Sequence, residues 1–278
     1  FVKYDTNRSP VGDFSYGYGE ALNDLVVRTL VFELSKGTVK NESTGDASTL
    51  ASGITDEEAA KTLFRLLDPE GDYVKQQIII ANDELDEVRK TTTDAGGLVL
   101  CIDQHHASKV AKVIRQVTGS EPSVILSDSA ETNDSVRGFK ESKKKWLVAV
   151  RQVSEGTDIK RLQVLCYLTN TATELFFRQA VGRVSRLRGV DDCNAYVHLP
   201  ADPRLERYMR NMQNEQLKAM TEQAEKVTRE RAKSEQASLD FDLYSTSHDG
   251  LEVAQIGREK IPTDVYLRVK KLAEEQSI

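Results

Sequence analysis

Gln179-Ala180-Val181-Gly182-Arg183-Val184-Ser185-Arg186 sets two arginines three apart behind a glycine, with a glutamine one helical turn before the first of them. If this stretch starts a helix, Gln179, Arg183 and Arg186 share one face, because positions i, i+3 and i+4 are neighbours. Gly182 keeps that face low where another backbone or a ligand comes close. Two guanidiniums held side by side are fixed, permanently charged forks, matched to the oxygens of a transferring phosphoryl group. On an arbitrary amphipathic helix the same arginines would be solvated surface charge, so the choice rests on the residues before them.

Upstream, Trp146 to Val150 (WLVAV) is a continuous apolar run of the kind found in buried parallel strands. It leads into a loop, Arg151-Gln152-Val153-Ser154-Glu155-Gly156-Thr157-Asp158, with a glycine followed by a carboxylate two residues later. A second buried strand comes next, Leu162 to Leu168 (LQVLCYL), and then the arginine helix. Ligands of open α/β sheets sit at the carboxyl ends of the strands, so this order predicts a site there.

Residues 146–188 resemble motifs V and VI of the superfamily 2 helicases and translocases. Gly156 and Asp158 match the end of motif V, and Gln179, Gly182, Arg183 and Arg186 match the Q-x-x-G-R-x-x-R of motif VI. The wording is similar to the DEAD/DEAH-like DNA helicases of bacteria and phages, with the XPB and UvsW type as relatives. Gly96 to Asp103, followed by His105-His106-Ala107, resembles motif IV. Val124 to Asp128 looks like the next strand and its nucleic-acid-facing tip, and Phe14 to Phe32 is similar to the segment after motif III. The resemblance implies an α/β fold, a doubly wound parallel sheet of the RecA-like kind seen in the second lobe of such motors, with a helical C-terminal appendage.

It also implies roles. Arg183 and Arg186 would be arginine fingers, a device worth roughly 10³–10⁵ in turnover. Gln179 would position the phosphate or the attacking water. Asp158 would accept a hydrogen bond from the ribose or from a finger, with Gly156 and Gly182 allowing close approach. Gln104, His105 and Ser127 would hold the nucleic-acid backbone, although His105-His106 also reads as a surface helix start and Ser127-Asp128 as a helix N-cap. Where the family often has Thr-Asp at the head of motif V, Val150-Arg151 stands here.

No G-x-x-x-x-G-K-[ST] phosphate loop occurs, and no acidic box follows a buried strand. Asn82 to Glu87 is acidic but reads as a helix start after Ile78-Ile79-Ile80. With Phe1 rather than methionine first, the chain is expected to be the C-terminal half of a two-lobed motor. Its ATP and Mg2+ would be held mainly by an N-terminal RecA-like lobe, and this chain alone would be inactive. DNA is the expected substrate, with RNA also open.

Charged residues make up 29% and hydrophobic ones 39% of the 278 residues, which suits a globular α/β core plus an appendage. Cys101, Cys166 and Cys193 sit in or beside apolar strands without metal-ligand spacing, and read as buried thiols of a cytoplasmic protein. No run approaches a membrane helix. The net charge is −6, yet residues 137–188 hold 12 Lys/Arg against 4 Asp/Glu. Their Lys143–Lys145 run is equally a solvated turn or a modest, salt-sensitive contact to phosphates.

Three parts are expected. Residues 1–52 carry a strand, Leu25 to Leu34, and a loose polar linker. Residues 53–202 are the alternating α/β domain, with a capped helix start at Thr55-Asp56-Glu57-Glu58 and a helix over Ala107 to Val117. Residues 203–278 form a helical tail, a hairpin over Phe241 to Ile256 and a last helix. Two further readings remain beside the helicase motor. One is a motor subunit of a restriction enzyme; the other is a non-catalytic nucleic-acid- or protein-binding module on the same fold.

Overall fold

A computed structural model describes residues 3–4, 10–11, 16–40, 47–51, 53–126, 130–150, 158–189 and 194–245. The chain divides into two units, residues 24–213 and the pairing of 1–23 with 214–278.

The larger unit is built on six parallel strands. They are β3 (Thr29–Ser35), β6 (Gly96–Cys101), β7 (Ser123–Ile125), β8 (Trp146–Val150), β9 (Leu162–Leu168) and β10 (Asn194–Pro200). Their order is β3-β10-β9-β6-β8-β7. The two apolar runs read from sequence are the strands β8 and β9, and every residue of β9 is buried. Such runs carry apolar side chains on both faces because helices cover both. The helices are α2 (Asp56–Leu66), α3 (Asp72–Thr91), α4 (Gln104–Thr118), α5 (Ala130–Glu141) and α6 (Glu174–Val184).

Alternation along the strands separates two cores. Val99, Cys101, Trp146, Val148, Val164 and Cys166 pack with Leu63, Ile78, Leu85, Val110 and Ile114 of α2, α3 and α4. The intervening residues look the other way, where Tyr167 meets Phe176 and Phe177 of α6 at centroid distances of 6.1 and 6.3 Å. Crossovers that run from β3 or β6 toward β7 carry α2, α3 and α4, whereas those that run back, β7 to β8 and β9 to β10, carry α5 and α6. A sheet whose crossovers share one hand must alternate faces in this way. The doubly wound parallel sheet expected from sequence is therefore what forms.

Local chemistry sets the boundaries. Thr55 and Glu58 form a reciprocal capping box at the start of α2, as its sequence predicts. Asp103 caps α4 by accepting from His106 N at 2.8 Å, so the helix starts at Gln104 rather than Ala107. Gly97 is required by packing, because a Cβ there would lie 2.2 Å from the Trp146 ring.

Several expectations are corrected. Ile78-Ile79-Ile80 and Asn82 to Glu87 belong to one helix, α3, because Val74, Ile78, Ala81, Leu85 and Val88 form a single buried stripe from its first turn. The strand expected over Leu25 to Leu34 is β3, which starts at Thr29, so Leu25 to Arg28 precede it, and Leu25 has a left-handed φ of 56°. Within the expected loose linker, β4 (Gly37–Lys40) pairs antiparallel with β5 (Ala47–Leu50). The helix α7 (Pro203–Ser245) runs through the first residues of the expected hairpin, and residues 246–278 lie outside the described residues.

In the larger unit, the start of α7 is fastened by Arg207, whose guanidinium grips Asp56 of α2 with two hydrogen bonds of 2.9 and 3.1 Å. In the smaller unit, β1 (Lys3–Tyr4) pairs with β2 (Pro10–Val11), and α1 (Tyr18–Asn23) packs along α7. There Tyr18 donates to Gln216 at 2.7 Å and Gln223 donates to the Leu22 carbonyl at 3.1 Å.

Candidate functional site

The arginine segment ends a helix instead of starting one. α6 stops at Val184, with Ser185 as its cap, and Arg186 lies beyond it in an antiparallel bridge to Val27. Gln179 and Arg183 do share the outward face of α6, four residues apart, while Phe176, Phe177, Ala180, Val181 and Val184 are buried. Arg186 reaches the same region from a different backbone direction.

The physical cause of this ending is Arg28, which is 1% exposed. Its Nη1 donates to the carbonyls of Leu162 and Val184, both at 2.6 Å, and its Nη2 donates to Lys160 O at 2.8 Å. The Arg28 backbone N–H donates to Ser185 O, and Leu187 N–H donates to Val26 O. The last carbonyls of α6 are thus taken by donors from outside the helix. A cation at this terminus also faces the negative end of the helix dipole.

Asp158, four residues before β9, accepts from Arg186 Nη1 at 2.8 Å. That hydrogen bond is the main cause holding the Asp158 carboxyl below its usual range, with help from Arg186, Lys160 and Lys140 as charges. Gly156 lies outside the described residues. Gly182 is half-buried, yet a Cβ added to it would meet nothing within 4 Å among the described residues. Packing within the described chain therefore does not demand a glycine at 182.

These groups sit at the amino end of the sheet, next to the first residues of β3 and β9. This corrects the expectation of a site at the carboxyl ends. α6 runs antiparallel to β9, so a segment that closes α6 returns to where β9 began. More basic groups gather at this end. Arg161, 4% exposed, donates to the carbonyls of Phe139, Asp94 and Lys144, and stacks 3.8 Å from the Phe139 ring centroid. Burial brings its guanidinium down to about 10, so it stays charged at neutral pH. Arg89 donates to Ala95 O at 2.5 Å and Lys143 O at 3.2 Å.

Much of the local positive charge is already matched. Arg137 pairs with Asp134, Lys145 with Asp86, Arg178 with Glu174 and Arg188 with Asp94. Lys140, Lys143, Lys144 and Lys160 remain as an exposed rim on the amino end.

Gln104 and His105 lie elsewhere, exposed on the first turn of α4 at the carboxyl end of β6. Ser127 lies outside the described residues. His106, read from sequence as part of a surface helix start, is buried instead. Its Nδ1 accepts from Ile102 N at 3.3 Å, and its Nε2 contacts Leu67 O at 2.7 Å. Desolvation is the main cause that lowers its pKa, so the neutral ring with Nε2–H fits both bonds. Cys101 and Cys166 are buried free thiols, and burial raises Cys166 to about 12. Cys193 lies outside the described residues.

The structure thus brings Asp158 and Arg186 together at one end of the sheet, carries Gln179, Gly182 and Arg183 on the helix α6 that closes there, and leaves Gln104 and His105 at the other end. Among the described residues, no group of three or more His, Cys, Asp or Glu side chains could hold a metal ion. No helix among them is long and apolar enough to cross a membrane. Sequence reasoning missed Arg28, whose only local sign is a lone arginine ahead of an apolar strand.

No protein-family profile matches the chain. It is 37% identical over 212 residues to the uncharacterized protein Rv2917 of Mycobacterium tuberculosis, an alignment that covers 74% of this chain and 35% of that protein. The chain thus spans about a third of the length of the curated relatives it matches. Among solved structures it overlaps a fragment assigned as the HsdR subunit of a type I restriction enzyme from Vibrio vulnificus. The TM-score is 0.47 at 16% identity, covering 68% of this chain and 35% of that one. It also overlaps T4 UvsW, with a TM-score of 0.37 at 20% identity, covering 54% of this chain and 29% of that one. At these scores the overlaps carry no argument about activity, and the functional reading rests on this chain's own residues.

Proposed function

We propose that this chain is the second motor lobe of an ATP-dependent DNA helicase or translocase of the superfamily 2 kind, DEAD/DEAH-like, with the XPB and UvsW type among its relatives. The observation that carries the reading is the 2.8 Å pair between Arg186 and Asp158. It joins the ends of the motif V and motif VI resemblances, 28 residues apart, at a single point. Gly182 supports it from another direction. A glycine inside a helix costs roughly 0.5–1 kcal/mol relative to alanine, and the described part of this chain does not need it there.

In this reading Arg183 and Arg186 extend permanent positive charge toward the terminal phosphate of a nucleotide gripped by another lobe. Gln179 orients the attacking water, and Asp158 holds Arg186 in place or receives the ribose hydroxyl. Gly156 and Gly182 let the backbone of the other lobe come close. The arginine forks fit a triphosphate, and in this reading Mg2+ is held mainly by the phosphate-gripping lobe. When bound, ATP and Mg2+ supply the phosphoryl group and its charge neutralisation. Gln104 and His105, at the opposite end of the sheet, hold the nucleic-acid backbone together with Ser127. A cytoplasmic location goes with the free buried thiols.

The restriction-enzyme motor is the same reading within a larger assembly. A non-catalytic module would have no use for paired arginines beside an ion-paired Asp158. The test is nucleic-acid-stimulated ATP hydrolysis by the intact protein, wild type against Arg183→Ala. A fall in kcat of roughly 10³-fold or more, with KM and nucleic-acid affinity kept, supports the finger. Equal turnover of the two proteins removes it.

A further inference from the structure

Four features of the stretch Leu25 to Arg28 converge on the arginine site. Leu25 is a non-glycine residue at a φ of 56°, a backbone state that persists only where the surroundings hold it. Val27 bridges Arg186, and Val26 O receives Leu187 N–H. Arg28 N–H takes the Ser185 carbonyl, the group that would accept the next N–H if α6 continued. The Arg28 guanidinium, buried at 1% exposure, spans the Val184 carbonyl on one side and the Lys160 and Leu162 carbonyls on the other.

The two sides matter. Val184 lies between Arg183 and Arg186, while Lys160 is two residues after Asp158. A planar fork with fixed donor directions sets a spacing between two backbones, which a flexible ammonium does not. The exposed pair Arg186–Asp158, with side chains 39% and 50% exposed, is too open to hold its own geometry. The buried Arg28 fork bonds the backbones that carry both members of the pair.

We propose that Arg28 is the positioning residue of the candidate site, a guanidinium clamp that sets the distance between the Asp158 segment and the end of α6 and so aims Arg183 and Arg186. This rests on the motor reading for its catalytic consequence, but the positioning itself is a property of the chain.

Two measurements separate these. The first is the carboxyl titration of Asp158, followed by carbon NMR in this 278-residue protein for wild type, Arg28→Lys, Arg28→Met and Arg186→Ala. If Arg28 positions the pair, Asp158 in the folded Arg28→Met protein titrates upward toward the Arg186→Ala value, and Arg28→Lys falls between. Glu121, whose partner Arg115 lies on α4 away from the clamp, stays where it was and reports that the rest of the fold is intact. An unchanged Asp158 titration in folded Arg28→Lys and Arg28→Met overturns the proposal. If Arg28→Met does not fold, Arg28→Lys decides alone.

The second is steady-state hydrolysis by the intact protein. Misplacement by about 1 Å costs on the order of 10²-fold in rate, so Arg28→Lys should lose about that in kcat with KM little changed. Adding Arg28→Lys to a protein already carrying Arg183→Ala and Arg186→Ala should add little further loss, because the clamp acts through those two groups. A full additive loss counts against positioning. A wild-type protein without nucleic-acid-stimulated hydrolysis removes the motor reading, and the Asp158 titration still decides the clamp.

Discussion

The two ends of the parallel sheet are fastened by different chemistry. At the amino end, buried guanidiniums bind backbone carbonyls: Arg28 holds Lys160, Leu162 and Val184, while Arg161 holds Asp94, Phe139 and Lys144. At the carboxyl end, a neutral imidazole, His106, joins Ile102 to Leu67. A guanidinium keeps its charge at any physiological pH, whereas an imidazole changes charge within that range. The amino end therefore offers fixed positive charge and fixed spacing, as a phosphate-facing site needs. The carboxyl end offers an exposed helix start whose anchor depends on pH.

Removing a fastener is the strongest way to break this contrast. Arg161→Met leaves three backbone carbonyls without their donor and takes the cation from the Phe139 ring. It should cost about 3 kcal/mol or more of unfolding free energy in urea titrations. A loss under about 1 kcal/mol would mean that the carbonyls find other partners. His106→Ala should cost less, about 2 kcal/mol, through a lost pair of hydrogen bonds and a small cavity.

Acid sharpens the contrast. His106 has its folded pKa lowered from 6.5, chiefly by desolvation and against the pull of Asp103 and Asp68. The folded state therefore favours the neutral ring. Its contribution to stability is fully present above pH 6.5 and is lost as pH falls through the lowered folded value. Protonation at Nδ1 also removes the acceptor for Ile102 N–H. The protection of the Ile102 amide, taken relative to the intrinsic exchange rate at each pH, should fall as pH drops below 6.5 in wild type, and the same change should be absent in His106→Ala. Carbonyl contacts at the amino end should not respond over that range. Equal acid response at both ends would contradict the distinction.

Gly182→Ala has a smaller effect and a sign that differs between readouts. The fold should gain about 0.5–1 kcal/mol, since the described structure has room for a methyl group and alanine favours helix. Turnover of the intact protein should fall, because the proposed close approach is made by another lobe. A more stable protein with unchanged turnover would remove Gly182 from the site. Asp158→Asn should be nearly silent in stability, within about 0.5 kcal/mol, because the pair is solvated. It should still lower kcat.

How much the sequence revealed depends on how local each signal is. β8 and β9 were legible because continuous apolar runs report burial on both faces, and α2 because Thr55 and Glu58 cap it within one turn. Both depend on neighbours in the chain. The position of the arginine pair was not legible, since the end of α6 is set by Arg28, whose carbonyl partners lie 132 to 156 residues away. The same distance concealed which end of the sheet carries the arginines. The order strand, loop, strand, helix is unchanged whether the site uses where β9 ends or where it begins. Ile78-Ile79-Ile80 misled because three β-branched residues in a row suggest a helix break, and packing against the sheet overrode that preference.

The most direct test of the account separates the two ends in one protein. Steady-state hydrolysis and nucleic-acid affinity would be measured for the intact protein carrying Arg186→Ala or Gln104→Ala. The account predicts that Arg186→Ala lowers kcat by roughly 10³-fold with affinity kept, while Gln104→Ala weakens binding and leaves unstimulated turnover unchanged. If Arg186→Ala binds nucleic acid less well and hydrolyses ATP as fast as wild type, the amino end is not the nucleotide-facing end, and the assignment of the two ends is wrong.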